Sequence, residues 1–157
     1  IQTIHERTGD WPKLVEILQD PTKRKAVIAD CQTVIDEEVA DKGGLSGIAI
    51  KTAYKVVKGV KPGFITEAVD NLIDDFSKNL QPLVDEAEAQ GKSVPEHFNA
   101  NRSRAADAML SITDERARKS KHGVVKGTYE KLRPTAKKHT EDAVPRVGKL
   151  FDKYLKA

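Results

Sequence analysis

Between residues 64 and 80 the chain reads FITEAVDNLIDDFSKNL, with apolar side chains at Ile65, Val69, Leu72, Ile73, Phe76 and Leu80. Intervals of three and four place all six on one stripe of an α-helix, which turns once in about 3.6 residues. As a strand the same residues would scatter over both faces and leave neither apolar. A second stripe, Val27, Ile28, Cys31, Val34, Ile35 and Val39, has the same spacing. No long stretch alternates apolar and polar with period two, so the expected fold class is all-α.

Capping residues divide the chain into helices. Asp10 and Asp20 suit N-cap positions, and Pro21 fits the first turn after Asp20. Gly43 and Gly44 are expected to stop that helix, since glycine takes the left-handed conformation that closes a helix end. Ser46 is then placed to cap a second helix running to about Val60, ahead of Pro62. Pro82 reads as the opening of a short acidic helix that stops near Gly91, and Ser93 with Glu96 has capping-box spacing for another start.

The second half echoes the first. At an offset of 77, Ala29, Asp30, Ile35, Glu38, Ala40 and Lys42 match Ala106, Asp107, Ile112, Glu115, Ala117 and Lys119. At an offset of 75, Lys51, Tyr54, Ala68, Val69, Phe76, Lys78 and Leu80 match Lys126, Tyr129, Ala143, Val144, Phe151, Lys153 and Leu155. The matches fall largely on helix faces. A two-copy repeat of this size predicts two pseudo-symmetric three-helix units in one compact bundle. The units would span about 20–90 and 95–157 of a single domain at 20–157, preceded by a helical extension at 1–19. Pro145 stands where the first copy has Asp70, so a kink or break is expected there, with a separate segment to about Lys156.

Composition bounds what such a bundle can be. With 157 residues, 38% hydrophobic and 32% charged, the chain can close one modest core. No window approaches the ~18 apolar residues of a spanning helix, so no transmembrane segment is expected. Cys31 is the only cysteine, which excludes an internal disulfide and suggests a reducing, cytoplasmic setting. The chain opens at Ile1 rather than Met, which suggests that something upstream was removed or left out. The net charge of +3 is uneven: residues 98–157 hold fifteen basic and seven acidic side chains, whereas residues 21–80 hold nine of each.

The run EEVADKGGLSG…KTAY…VKPG, together with AKKHTEDAVPRVGKL further on, resembles a family of small bacterial all-helical proteins known only as a domain of unknown function. The resemblance extends from about Asp20 to the C-terminus. It implies a coherent fold and brings no activity, cofactor or catalytic residue. Residues 1–19 and the acidic segment from Asp85 to Glu96 match it less well.

No catalytic or metal-binding grouping stands out, so the expected class is a non-enzymatic binding or interaction protein without a cofactor. His5, His97, His122 and His139 are scattered without the spacing of a zinc or di-iron site. KGGLSGIAIKTA departs from a phosphate loop, because Lys51 and Thr52 come too late after Gly47. Ser46 and Gly47 at a helix start remain a candidate anion site, although the glycines are better read as a tight helix corner. The basic C-terminal half is the expected working surface, with Lys137, Lys138, Arg146, Lys149 and Lys153 as anion-contacting residues. Its partner would be another protein or a second copy, or alternatively a nucleic acid or an anionic membrane. A further alternative is a carrier of a small apolar ligand held between the two repeats and lined by Tyr54, Phe76, Tyr129 and Phe151. Lys51, Lys55 and Lys58 form one helix face that could pair with Glu67, Asp70, Asp74 and Asp75.

Overall fold

The computed structural model describes residues 11–156, and among them there are seven α-helices and no strand. They are α1 (Leu14–Ile17), α2 (Pro21–Asp41), α3 (Gly44–Lys58), α4 (Phe64–Ala89), α5 (Val94–Ala100), α6 (Arg102–Arg118) and α7 (Gly123–Leu155). The all-α bundle expected from the periodicity is the fold. The cap expected at Asp10 lies outside the described residues.

Several helix ends follow local chemistry. The Asp20 carboxylate accepts the backbone N–H groups of Thr22 and Lys23, with Pro21 in the first turn. Ser93 accepts from Glu96 N at the start of α5. At the end of α4, Gly91 takes φ +67°, Lys92 N donates to Ala87 O and Gly91 N donates to Glu88 O, which together close the helix as a Schellman motif. The expectation for Ser46 fails: α3 starts two residues earlier, with Gly43 as the N-cap and Gly44 left-handed at φ +69°. A Cβ on Gly47 would lie 2.7 Å from the Lys42 carbonyl carbon, so this glycine lets α3 turn back directly off the end of α2.

Prolines did not divide the helices as the sequence suggested. Pro82 lies inside α4, and Pro134 and Pro145 lie inside α7, which runs on without a separate C-terminal segment. Each proline deprives one carbonyl a turn earlier of its partner. Burial beyond the proline outweighs that loss: Leu83, Val84 and Ala87 follow Pro82 into the core, and Gly148, Leu150, Phe151, Tyr154 and Leu155 follow Pro145. The two segments expected to form repeats therefore differ in layout. Where the first breaks between α3 and α4 at Pro62-Gly63, the second has Lys137-Lys138 and continues as one helix.

The deepest packing lies where the sequence looked acidic and least characteristic. Val84, Ala87, Val94 and Phe98 are buried, together with Leu80, Ala105, Val144 and Phe151. The Phe98 and Phe151 rings meet edge to face at 6.4 Å between centroids. Gly148 admits this contact, because a Cβ there would sit 3.2 Å from Pro95 Cα and 3.3 Å from Phe98 Cβ. The acidic side chains around it have partners. Glu88 accepts Trp11 N at 2.6 Å, Gln81 accepts Leu14 N at 2.8 Å, and Asp85 holds Lys13 at 3.0 Å. These groups satisfy donors at the start of α1, which has no side-chain cap of its own. Leu14, Ile17 and Leu18 are thereby seated in the same core as the rest of the bundle. Glu86 joins Arg104 of α6 and His97 of α5, and Arg104 first, then His97, holds its carboxyl down at about 2.

Two glycine substitutions separate close packing from helix propensity. Gly47→Ala must displace the Lys42 backbone, and a loss of about 1–3 kcal/mol is expected in urea unfolding. Gly127→Ala, inside α7 with open space around its Cβ, should instead raise stability by about 0.5–1 kcal/mol.

Candidate ligand cavity

The stripe on α2 that reads as core is only half buried, and of its members Val27 alone is fully enclosed. Cys31 and Val34 pack against the edge of the core, and from Cys31 onward the stripe also borders a cavity of about 300 Å³. Cys31, Val34, Ile35 and Val39 form one wall. Val69, Ile73, Phe76 and Leu80 of α4 form the second, and Ala143, Val147, Leu150 and Phe151 of α7 the third. Ile50 of α3 and Met109 of α6 close the remaining sides. Five helices that cannot all touch at one level leave such a space where their facing side chains are short, as Ala143 and Cys31 are.

Polar groups gather at one end of this apolar space. Glu38 and Lys42, His139 and Thr140 all line it. Lys42 Nζ is 3.2 Å from Glu38 and 3.6 Å from Asp142, and Arg146 contacts both Glu38 and Asp41, the latter at 2.6 Å. The Glu38 and Lys42 side chains are only 13% and 11% exposed, so this cluster joins α2 to α7 in a partly dehydrated setting. His139 is different. Both of its ring nitrogens are buried, and neither has a hydrogen-bond partner among the described residues. Burial, then the nearby Lys42 charge, lowers its pKa and favours the neutral ring.

The four residues expected to line an apolar site separate into two groups. Phe76 and Phe151 both face this cavity. Tyr129 instead borders a groove of about 480 Å³ between α4 and the α6–α7 hairpin, rimmed by Lys61, Glu67, Arg116, Lys121 and His122. Tyr54 lines neither space. Each hydroxyl is engaged by side chains of the preceding helix. Tyr54 donates to Asp36 at 2.5 Å and accepts from Gln32, whereas Tyr129 bonds Asp114 and Thr113. Burial, with the adjacent carboxylate, raises both phenols to about 12.

The expected anion contacts are also dispersed. Lys137 pairs with Asp107 at 2.6 Å, Lys153 with Asp30 at 2.9 Å, and Arg146 with Glu38 and Asp41. Lys138 and Lys149 are exposed and make no ion pair among the described residues. Ser46 is exposed in the first turn of α3, and Gly47 is buried against Lys42. Lys51, Lys55 and Lys58 do not meet the acids of α4. Asp70 and Asp74 hold Arg24, Asp75 holds Arg116, Glu67 holds Lys61, and Lys58 lies over the Tyr54 ring. No group of three or more His, Cys, Asp or Glu side chains among the described residues could hold a metal ion. None of their helices is long and apolar enough to cross a membrane.

Periodicity missed the cavity because a wall and a core carry the same apolar spacing. One signal was available: His139, Ala143 and Val147 fall four residues apart, which sets a histidine in an otherwise apolar row. Cys31, in the opposite wall, has its thiol pushed by burial to about 12. At pH 8 its reaction with a disulfide reagent should therefore be slow in the folded protein and become fast once urea unfolds the chain.

A sequence model for a family of unknown function, DUF6918, matches residues 14–155. No curated protein and no solved structure matches the chain.

Proposed function

The chain belongs to that family, which assigns it no activity, and we propose from the physical evidence that it binds a small apolar ligand between its two repeats. The observation that carries this reading is the cavity of about 300 Å³ walled by apolar side chains of α2, α4 and α7. That volume stands at the lower end of small-molecule sites, which are concave, mostly apolar and furnished with a few polar groups at one place. Phe76 and Phe151, repeat-equivalent residues, contribute to the same space from α4 and α7. The basic C-terminal half is a weaker candidate for a working surface, since Lys137, Arg146 and Lys153 are already matched with carboxylates.

The test is binding of the neutral dye N-phenyl-1-naphthylamine, read by fluorescence, to the wild type and to Ala143→Phe. The larger ring fills the cavity from α7, so dye binding should fall at least about tenfold while the melting temperature holds or rises. Equal dye binding by both proteins would remove the cavity as the site.

A second reading has its own observation, on α3. Leu45 is 88% exposed, Ile48 63% and Val56 44%, and the exposed Lys51, Lys55 and Lys58 run alongside them with no ion pair among the described residues. An apolar row bordered by unneutralised lysines suits an anionic membrane surface. The expected result is co-flotation with phosphatidylglycerol vesicles but not with phosphatidylcholine vesicles, and its loss in Leu45→Ser/Ile48→Ser. Equal flotation with both lipids would exclude the charge-assisted mode.

A further inference from the structure

The polar end of the cavity limits which apolar molecule fits. An imidazole whose two buried nitrogens have no partner carries a desolvation cost that a ligand can relieve, because leaving a buried donor or acceptor unsatisfied is more costly than never burying it. His139 stands one and two turns before Ala143 and Val147 on the face of α7 that lines the cavity. A molecule in contact with those two residues has its end beside the ring. Resting on the cavity reading above, we propose that the ligand is a neutral single-chain amphiphile, its hydrocarbon part among Phe76, Val147 and Phe151 and its hydroxyl hydrogen-bonded to His139.

Charge at this end argues against an anionic headgroup. The ionisable groups around the ring are Glu38 and Lys42 from the end of α2, and Lys138 and Asp142 from α7. Lys42 already contacts Glu38 and Asp142, and Arg146 already contacts Glu38 and Asp41. Lys138 is turned to solvent. A ligand carboxylate would therefore meet Glu38, itself a cavity-lining group, without an uncommitted cation in the wall. The ring is biased toward its neutral form by burial. One nitrogen then donates and the other accepts, and a hydroxyl can satisfy either.

The proposal is tested on the full chain by displacement of N-phenyl-1-naphthylamine with 1-octanol, octane and octanoate at pH 8, in the wild type and in His139→Leu. In the variant, octanol should bind roughly three- to tenfold more weakly, the size of one hydrogen bond, while octane is unchanged or improved. Octanoate should be the weaker of the two polar ligands in the wild type. An equal effect of His139→Leu on octanol and octane, or tighter binding of octanoate than octanol, overturns the headgroup assignment and leaves the apolar cavity in place. If neither octanol nor octane binds the wild type, the cavity reading itself fails. A measurement without substitution guards against misfolding of the variant. Imidazole nitrogen resonances of His139 should shift on adding octanol and not on adding octane, and no shift with octanol would count against the proposal.

Discussion

Gly148 against Pro95 and Phe98 is the contact on which the rest of the bundle depends. A Cβ at that position would sit 3.2 Å from Pro95 Cα and 3.3 Å from Phe98 Cβ, so α5 would have to shift beside the Phe98–Phe151 ring contact. Around this point Val84, Val94, Ala105 and Val144 close with almost no exposed surface. Burial of that kind, worth ~1.5–3 kcal/mol for each large apolar side chain, holds α7 helical through Pro145. The side chains of Gln81 and Glu88 fasten α1 over the same region by accepting its backbone donors.

The cavity adjoins this tightly closed region, and Leu80, Leu150 and Phe151 belong to both. α7 is anchored on α5 and α6, and its middle turns bring the small side chains of Ala143 and Val147 opposite α2. Val34 reaches the core edge, while Ile35 and Val39 further along the α2 stripe border the cavity. Glu38, Lys42, Asp142 and Arg146 span the gap at its edge and keep α2 in place without filling it. His139 lies between this ion cluster and the apolar wall. It is the one polar group there whose hydrogen-bonding capacity the described protein leaves unused at both nitrogens.

Electrostatics give a parallel case of tertiary structure redistributing what the sequence carries. The excess of basic residues in 98–157 suggests an electropositive half. Folding brings acids of the first half, Asp30, Glu38 and Asp41, onto Lys153 and Arg146, and the more exposed of these pairs, Asp30–Lys153 and Asp41–Arg146, contribute only ~0–1 kcal/mol each. Their larger effect is to remove net positive charge from that surface. The lysines that stay unmatched and lie beside exposed apolar residues are on α3, in the half whose formal charge sums to zero.

The sequence by itself determined the helical class, the family, the caps at Asp20 and Ser93 and the apolar faces of α2 and α4, because these follow from interactions within a few residues of one another. It also aligned Phe76 with Phe151 at an offset of 75. It misjudged Pro82 and Pro145, where a local defect is outweighed by burial against distant helices, and gave no sign that Val84, Ala87, Val94 and Phe98, in and beside the acidic segment from Asp85 to Glu96, lie fully buried. Only the tertiary structure decided whether an apolar face meets a core or a cavity, which lysines find a carboxylate and whether His139 finds a partner. Each of those depends on how far apart the helices stand, which is set by contacts between residues distant in sequence, such as Gly148 of α7 against Pro95 and Phe98.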